Sequence, residues 1–174
     1  MADSNNIDEG VIKFNAQDFE QQPMVSNDKL SQLNEIRNRL FIMRLIGEYP
    51  IEKIGFGNLS VRHGYPSSNN TKSFIISGTQ TGHIAQLSEQ AYTHVVDYHF
   101  DLNAVAVRGP VHASSESLTH AAIYQCHPKI QAVIHVHSRA MWKGMLNDNL
   151  PQTSAHIPYG TPEMAQAVQN LWQQ

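Results

Sequence analysis

A chain of 174 residues, 41% of them apolar, is one domain of ordinary size with enough apolar side chains to build a core. Its formal charge of -3 leaves no basic footprint for nucleic acid, and no apolar run reaches the length of a membrane span. Ten histidines are many for this length and favour metal or proton chemistry, whereas a single cysteine, Cys126, excludes an internal disulfide and points to a reducing compartment.

The opening MADSNNIDEG has neither a basic start nor an apolar stretch, so a soluble cytoplasmic protein without a targeting segment is expected. Residues 1–27 are polar and aperiodic, the composition of an arm or mobile extension, and the folded domain is expected over 28–174. Leu30, Leu33, Ile36, Leu40 and Met43 recur at three- and four-residue spacing, which predicts an amphipathic helix ending near Gly47. After a glycine-punctuated turn, strands are predicted at Asn58–Arg62 and Ser73–Ser77, joined by the polar loop HGYPSSNNTK as an antiparallel pair. Thr93–Phe100 and Ala104–Val107 form a second predicted pair, turned at Asp101–Leu102–Asn103. A helix follows over Glu116–Gln125, with Leu118, Ala121, Ala122 and Gln125 on one side. The run QAVIHVH reads as a strand, and Thr161–Pro162 opens a last helix with an N-cap and a proline at its first position. With no internal repeat, the pattern is that of an α+β layered domain.

The strand QAVIHVH places His135 and His137 on one face with Cβ atoms roughly 6.5 to 7 Å apart, a bite suited to one metal ion. A hydrogen-bonded core pair is the other reading, because ligation needs a third protein group. Ala132, Ile134 and Val136 then point to the opposite face and are expected to pack under a second layer. Gly57–Asn58, Ser77–Gly78–Thr79 and Ser114–Ser115–Glu116 are each places where backbone N–H groups and small hydroxyls can face an anion. Each is also ordinary turn or cap chemistry; Ser115 could be only an N-cap and Glu116 a residue of the first helical turn. His112, His120 and His127 read as surface or hydrogen-bonded residues, Trp142 and Met145 as core or subunit contacts, and Cys126 as structural.

The succession GNLSVR, IISGTQTG, ASSESLTHAAIY, AVIHVHS and IPYGTPEMA resembles the class II aldolase/adducin family over about residues 30–172. That family includes fuculose-phosphate and rhamnulose-phosphate aldolases, ribulose-phosphate 4-epimerase and methylthioribulose-phosphate dehydratase. The resemblance implies a three-layer α/β/α sandwich around a mainly antiparallel sheet, a homo-oligomer (a tetramer in many members), and a small-molecule substrate, with no nucleic acid or membrane partner. It makes His135 and His137 two of three histidines holding a divalent ion, most often Zn2+, and Glu116 the acid/base carboxylate. Gly57, Asn58, Ser77, Gly78, Ser114 and Ser115 match the substrate-phosphate pocket. The implied chemistry is C–C bond cleavage or formation in a hydroxylated carbonyl compound through a metal-stabilised enediolate. Epimerase or dehydratase chemistry, or a non-catalytic module like the adducin head, are the alternatives.

Two departures accompany the match. The family's third histidine lies in a strand after the helix matched by Thr161–Trp172, beyond the last residue, Gln174, so a domain lacking its C-terminal part is expected. His156 precedes IPYGTPEMA and is not taken as its substitute. Between Pro151 and Pro158 the short segment PQTSAHIP has no tyrosine to match the family's proton donor, and Tyr159 belongs to the following motif, which argues against the fuculose and rhamnulose phosphates as substrates.

Overall fold

The structure is a computed structural model that describes residues 10–16, 18–64 and 72–173. In chain order its elements are β1 (Phe19–Gln21), α1 (Asp28–Ile42), β2 (Gly47–Tyr49), β3 (Ile54–Phe56), β4 (Asn58–Arg62), β5 (Phe74–Ser77), β6 (Tyr92–His99), β7 (Ala104–Gly109), α2 (Ser117–Cys126), β8 (Ala132–His135), α3 (Arg139–Asn147) and α4 (Pro162–Trp172). Six strands form one sheet in the order β1-β7-β6-β5-β4-β8, antiparallel throughout except where β1 runs parallel to β7, and β2 with β3 makes a separate hairpin.

Alternation along the strands sends side chains to two cores, one on each face of the sheet. Phe74, Ile76, Val95 and Val133 meet Leu118, Ala121 and Tyr124 of α2, while Leu59, Ile75 and Tyr92 meet Leu30 and Leu33 of α1. The result is the expected three-layer sandwich, with α4 packed on α2. Pairing of Asn58–Arg62 with Phe74–Ser77 is as predicted; of the loop joining them, residues 65–71 lie outside the described residues.

The strand-side expectations change in three places. From Gly10 onward, the described part of the expected arm lies against the domain: Phe14 and Met24 are buried, and Phe19–Gln21 lengthens the sheet. Residues 1–9 and 17 lie outside the described residues. The turn before β4 is the β2–β3 hairpin, too short to show a period-2 pattern. And β8 stops at His135, with Ala132 and Ile134 exposed rather than covered and only Val136 packed against the α1-side core, because β8 is the edge strand of the sheet.

Helix α1 is capped by Asn27, whose side chain accepts the Leu30 N–H at 3.0 Å. It ends at Ile42, short of Gly47, where Arg44 turns the chain in the left-handed region at φ 58°. Ile36 and Met43 of the predicted stripe are exposed, and the inward position between Leu33 and Leu40 belongs to Arg37. Its guanidinium donates to the carbonyls of Ala85, Thr81 and Gly82 at 2.9, 3.1 and 3.2 Å. A hydrophobic pattern misses this residue because the charge is satisfied by backbone dipoles of a loop distant in sequence.

Arg37→Met should lower the unfolding free energy by about 2 to 4 kcal/mol, since three carbonyls lose their donor. Arg39→Met, which removes only the exposed pair with Glu35, should change it by about 0.5 kcal/mol or less in the same urea titration.

Burial pushes His94 down to about 4 and His120 to about 3 from the usual 6.5, which holds both neutral. Below pH 6.5 the unfolded chain takes up protons that the fold does not, so stability is complete above that value and declines toward pH 4. Urea midpoints should therefore fall between about pH 7.5 and about pH 5, and His94→Gln should flatten the slope.

Candidate active site

The site begins with the register of β4 on β8, which sets Asn58 directly opposite His135. Gly57, one residue earlier, has φ 74°, and a Cβ there would come within 2.9 Å of Ile46 and 3.2 Å of the His135 carbonyl. Only glycine lets the chain enter β4 this close to β8. Gly78, after β5, is equally confined: a Cβ would lie 2.6 Å from Val111. The two glycine turns and the start of α2 converge, and Gly57, Asn58, Gly78, Ser114, Ser115 and Glu116 line one small cavity with His135. Its volume is about 20 Å³, room for about one water molecule. Ser77 is the exception among the predicted residues: it is buried, its hydroxyl 3.4 Å from the Leu59 N–H, and it does not line the cavity.

Glu116 stands at the N-cap position of α2 but makes no capping bond, so its carboxylate is left for the cavity. Burial raises its pKa above that of an ordinary glutamate, opposed by a hydrogen bond with Thr119 and by the charge of Lys13. The cap work is done by Ser114, whose hydroxyl accepts the Glu116 N–H at 3.3 Å and whose carbonyl accepts the Ser117 N–H at 3.0 Å. One turn along α2, His120 is fully buried, with Nδ1 2.8 Å from the Ser60 hydroxyl, which also meets the Tyr124 hydroxyl at 2.8 Å. His120 is thus the hydrogen-bonded residue expected, and it ties α2 to β4 behind the cavity.

His137 lies past the end of β8, yet its Nε2 comes within 3.2 Å of His135 Nε2. Tyr49 and Phe56 of the hairpin hold it there, the tyrosine hydroxyl 2.8 Å from Nδ1 and the phenylalanine ring stacked at 5.1 Å. Bonds of about 2.0 to 2.1 Å at a tetrahedral ion set neighbouring donor nitrogens about 3.3 Å apart, so the pair fits two adjacent positions of one Zn2+. Both rings are held neutral by burial, His137 at about 4. Ligation through Nε2 requires each Nδ1–H to donate outward. Tyr49 can accept the first; Asn58, whose Oδ1 is buried without a partner, can accept the second by turning its amide over. Among the described residues no group of three or more His, Cys, Asp or Glu converges as a ligand set, and exposed His156 lines no cavity near this pair.

On its other side His135 borders a wider groove of about 730 Å³, lined by His137, Tyr49, Phe56, Met141, Trp142 and Met145. Trp142 and Met145 are 58% and 46% exposed, which removes them from the core. Helix α3 is short and lies beyond the sheet edge, so its apolar stripe faces the groove. The remaining singled-out residues keep the roles expected: His112 is exposed against the Phe19 ring, His127 accepts the Lys129 N–H, and the Cys126 thiol donates to the Ala122 carbonyl.

Residues 40–168 match the Class II Aldolase and Adducin N-terminal domain, and the chain belongs to that family. In structure it is similar to YgbL of Escherichia coli, provisionally described as an aldolase/epimerase/decarboxylase, with a TM-score of 0.58 and 18% identity over 83% of this chain and 70% of that one. The YgbL of Klebsiella pneumoniae gives a TM-score of 0.57 and 17% identity over the same shares. At that identity the likeness carries the fold. No curated protein is significantly similar to the chain in sequence.

Zinc titrated into metal-free protein should bind to the wild type and be lost in a His135→Ala/His137→Ala double variant. Tyr49→Phe, which removes the acceptor behind His137, should weaken it roughly tenfold. Equal zinc retention by all three would remove the metal assignment.

Proposed function

We propose that this protein is a metal-dependent lyase of the aldolase type, acting on a small hydroxylated carbonyl compound. The observation that carries the reading is one small cavity lined by a buried carboxylate, by glycines and serine hydroxyls, and by His135, whose neutral ring meets that of His137 at its edge. A divalent ion held by His135 and His137 would supply electrophilic stabilisation of the charge that develops on the substrate oxygens.

The chain's own residues do the rest. Glu116 takes the proton from the carbon or hydroxyl next to the breaking bond and returns it to the product, a role suited to a carboxylate whose pKa burial has raised. Asn58, Ser114 and Ser115 offer hydrogen bonds to an anionic group, and Gly57 and Gly78 let the backbone approach it. Such a hold orients the carbonyl toward His135 and His137. The same groups serve an epimerase or a dehydratase, which differ in which bond is broken and remade while negative charge develops on the same substrate oxygens; decarboxylation, named for YgbL, is a further variant. A homo-oligomer is part of the proposal, supported by the exposed stripe of Met141, Trp142 and Met145. An interaction module without chemistry is the weaker reading, because a scaffold has no use for a carboxylate left uncapped beside two neutral imidazoles.

Glu116→Gln keeps the shape and cannot accept a proton, so turnover of any phosphorylated ketose that the wild type cleaves should drop roughly 100- to 10,000-fold while the melting temperature holds. The acidic limb of the wild-type rate should lie above pH 4.5, the usual value for glutamate. Full activity in Glu116→Gln would end the acid/base assignment. Calorimetry with phosphoglycolohydroxamate, an enediolate mimic, should show weaker binding to Ser115→Ala by about 1 to 2 kcal/mol.

A further inference from the structure

Three residues that line the cavity, Gly10, Gly55 and Phe56, lie outside the family motifs, and the last two directly precede GNLSVR. Gly10 closes the cavity, far in sequence from everything else there, with its carbonyl accepting the Thr79 hydroxyl at 3.3 Å. The chain from Gly10 to Lys13 continues toward the loop that carries Tyr159. Val11 donates its N–H to the Tyr159 hydroxyl at 3.1 Å and accepts that hydroxyl's proton on its carbonyl at 3.2 Å. Lys13 lies 3.9 Å over the same ring, and Gly160 packs beside both Lys13 and the Ser115 carbonyl.

The two ends of this segment are held unequally. At Phe14 and Asn15 it is anchored: Phe14 is buried, Asn15 N–H donates to Asn103 at 2.6 Å, and Asn103 donates to the Lys13 carbonyl at 2.9 Å. Toward Gly10 the segment is held by longer bonds through the Thr79 and Tyr159 hydroxyls, with Ile12 packed at the margin of the core and Lys13 over the Tyr159 ring. A segment with a firm anchor and a weak latch opens locally at a small fraction of the cost of global unfolding. Meanwhile the covered cavity, at about 20 Å³, admits a water molecule and not a phosphate with its four oxygens.

We propose that residues Gly10–Lys13 are a strap over the substrate cradle, latched by Tyr159, that must lift before an anionic substrate group can enter beside Ser115 and Glu116. This rests on reading the cradle as the substrate site. It gives Tyr159 a function, as the latch of the strap. It also accounts for glycine at position 10: φ there is 75°, while the nearest atom to an added Cβ is 3.4 Å away, so backbone conformation and not space restricts the residue.

The test needs no substrate and no turnover. In a full chain carrying Cys126→Ser and Ser115→Cys, the rate at which the small anionic reagent (2-sulfonatoethyl) methanethiosulfonate labels the new thiol reports how often the cradle is open. Tyr159→Phe, which removes the latch, and Gly10→Ala, which disfavours the closed backbone, should each raise that rate roughly five- to tenfold, the change that one or two net hydrogen bonds make in an opening equilibrium. A rate unchanged within about twofold in both overturns the strap. Hydrogen exchange of the unaltered chain gives a second reading: residues 10–13 should exchange together with 157–160, well ahead of β5 and β6. Their exchange in the slowest phase, with the sheet, would equally overturn it. Since neither readout involves a phosphate ligand, failure of phosphoglycolohydroxamate to bind would count against the proposed substrate and not against the strap.

Discussion

The register of β4 against β8 is the constraint on which the site depends. Asn58 sits opposite His135 and Ser60 opposite Val133, which puts the imidazole, the amide and the α2-facing hydroxyl on one side of the sheet. Because side chains alternate, a slip of one residue would turn His135 to the opposite face, away from Glu116 and the glycine turns. Two features pin the register. Gly57 allows the close approach at the strand's entry, and Ser60 is held from behind by His120 and Tyr124.

Burial then does the electrostatic work. Desolvation lowers the pKa of His135 and is the main cause of the shift at His137, so both present lone pairs at neutral pH. The same desolvation raises Glu116 toward the range in which a carboxylate can both accept and return a proton. Opposite effects on acid and base thus follow from one cause, the enclosure of the site between sheet and α2. Arg37 works at a distance: by binding the carbonyls of residues 81, 82 and 85 it holds the loop whose start, Gly78 to Gly82, forms the cavity wall.

Much of this was legible in the residues. The apolar periodicities of 30–40 and 117–124, the two antiparallel strand pairs and the Thr161–Pro162 helix start are local signals, carried by spacing within one element. The glycine and serine turns were legible as places where an anion could sit, because small residues and short hydroxyl side chains announce themselves. Arg37, Ser60 and Gly10 were not legible. Each acts through partners tens of residues away, and alone reads as a surface charge, a strand polar residue and a turn. The exposure of Ile134, Trp142 and Met145 was equally hidden, since periodicity says which residues share a face but not whether anything covers it.

By itself, then, the sequence determined which segments become helices and strands, which family the motifs belong to, and which residue types are available for chemistry. Those properties follow from short-range pattern and from side-chain identity. Only the tertiary structure decided that His135 and His137 meet at Nε2 although the strand ends between them, that Ser77 turns inward while Ser114, Ser115 and Glu116 line the cavity, and that Gly10 lines it with them. Those outcomes depend on strand register, on burial and on close approach between segments far apart in the chain, and such long-range contacts leave no periodic trace in the residues that make them.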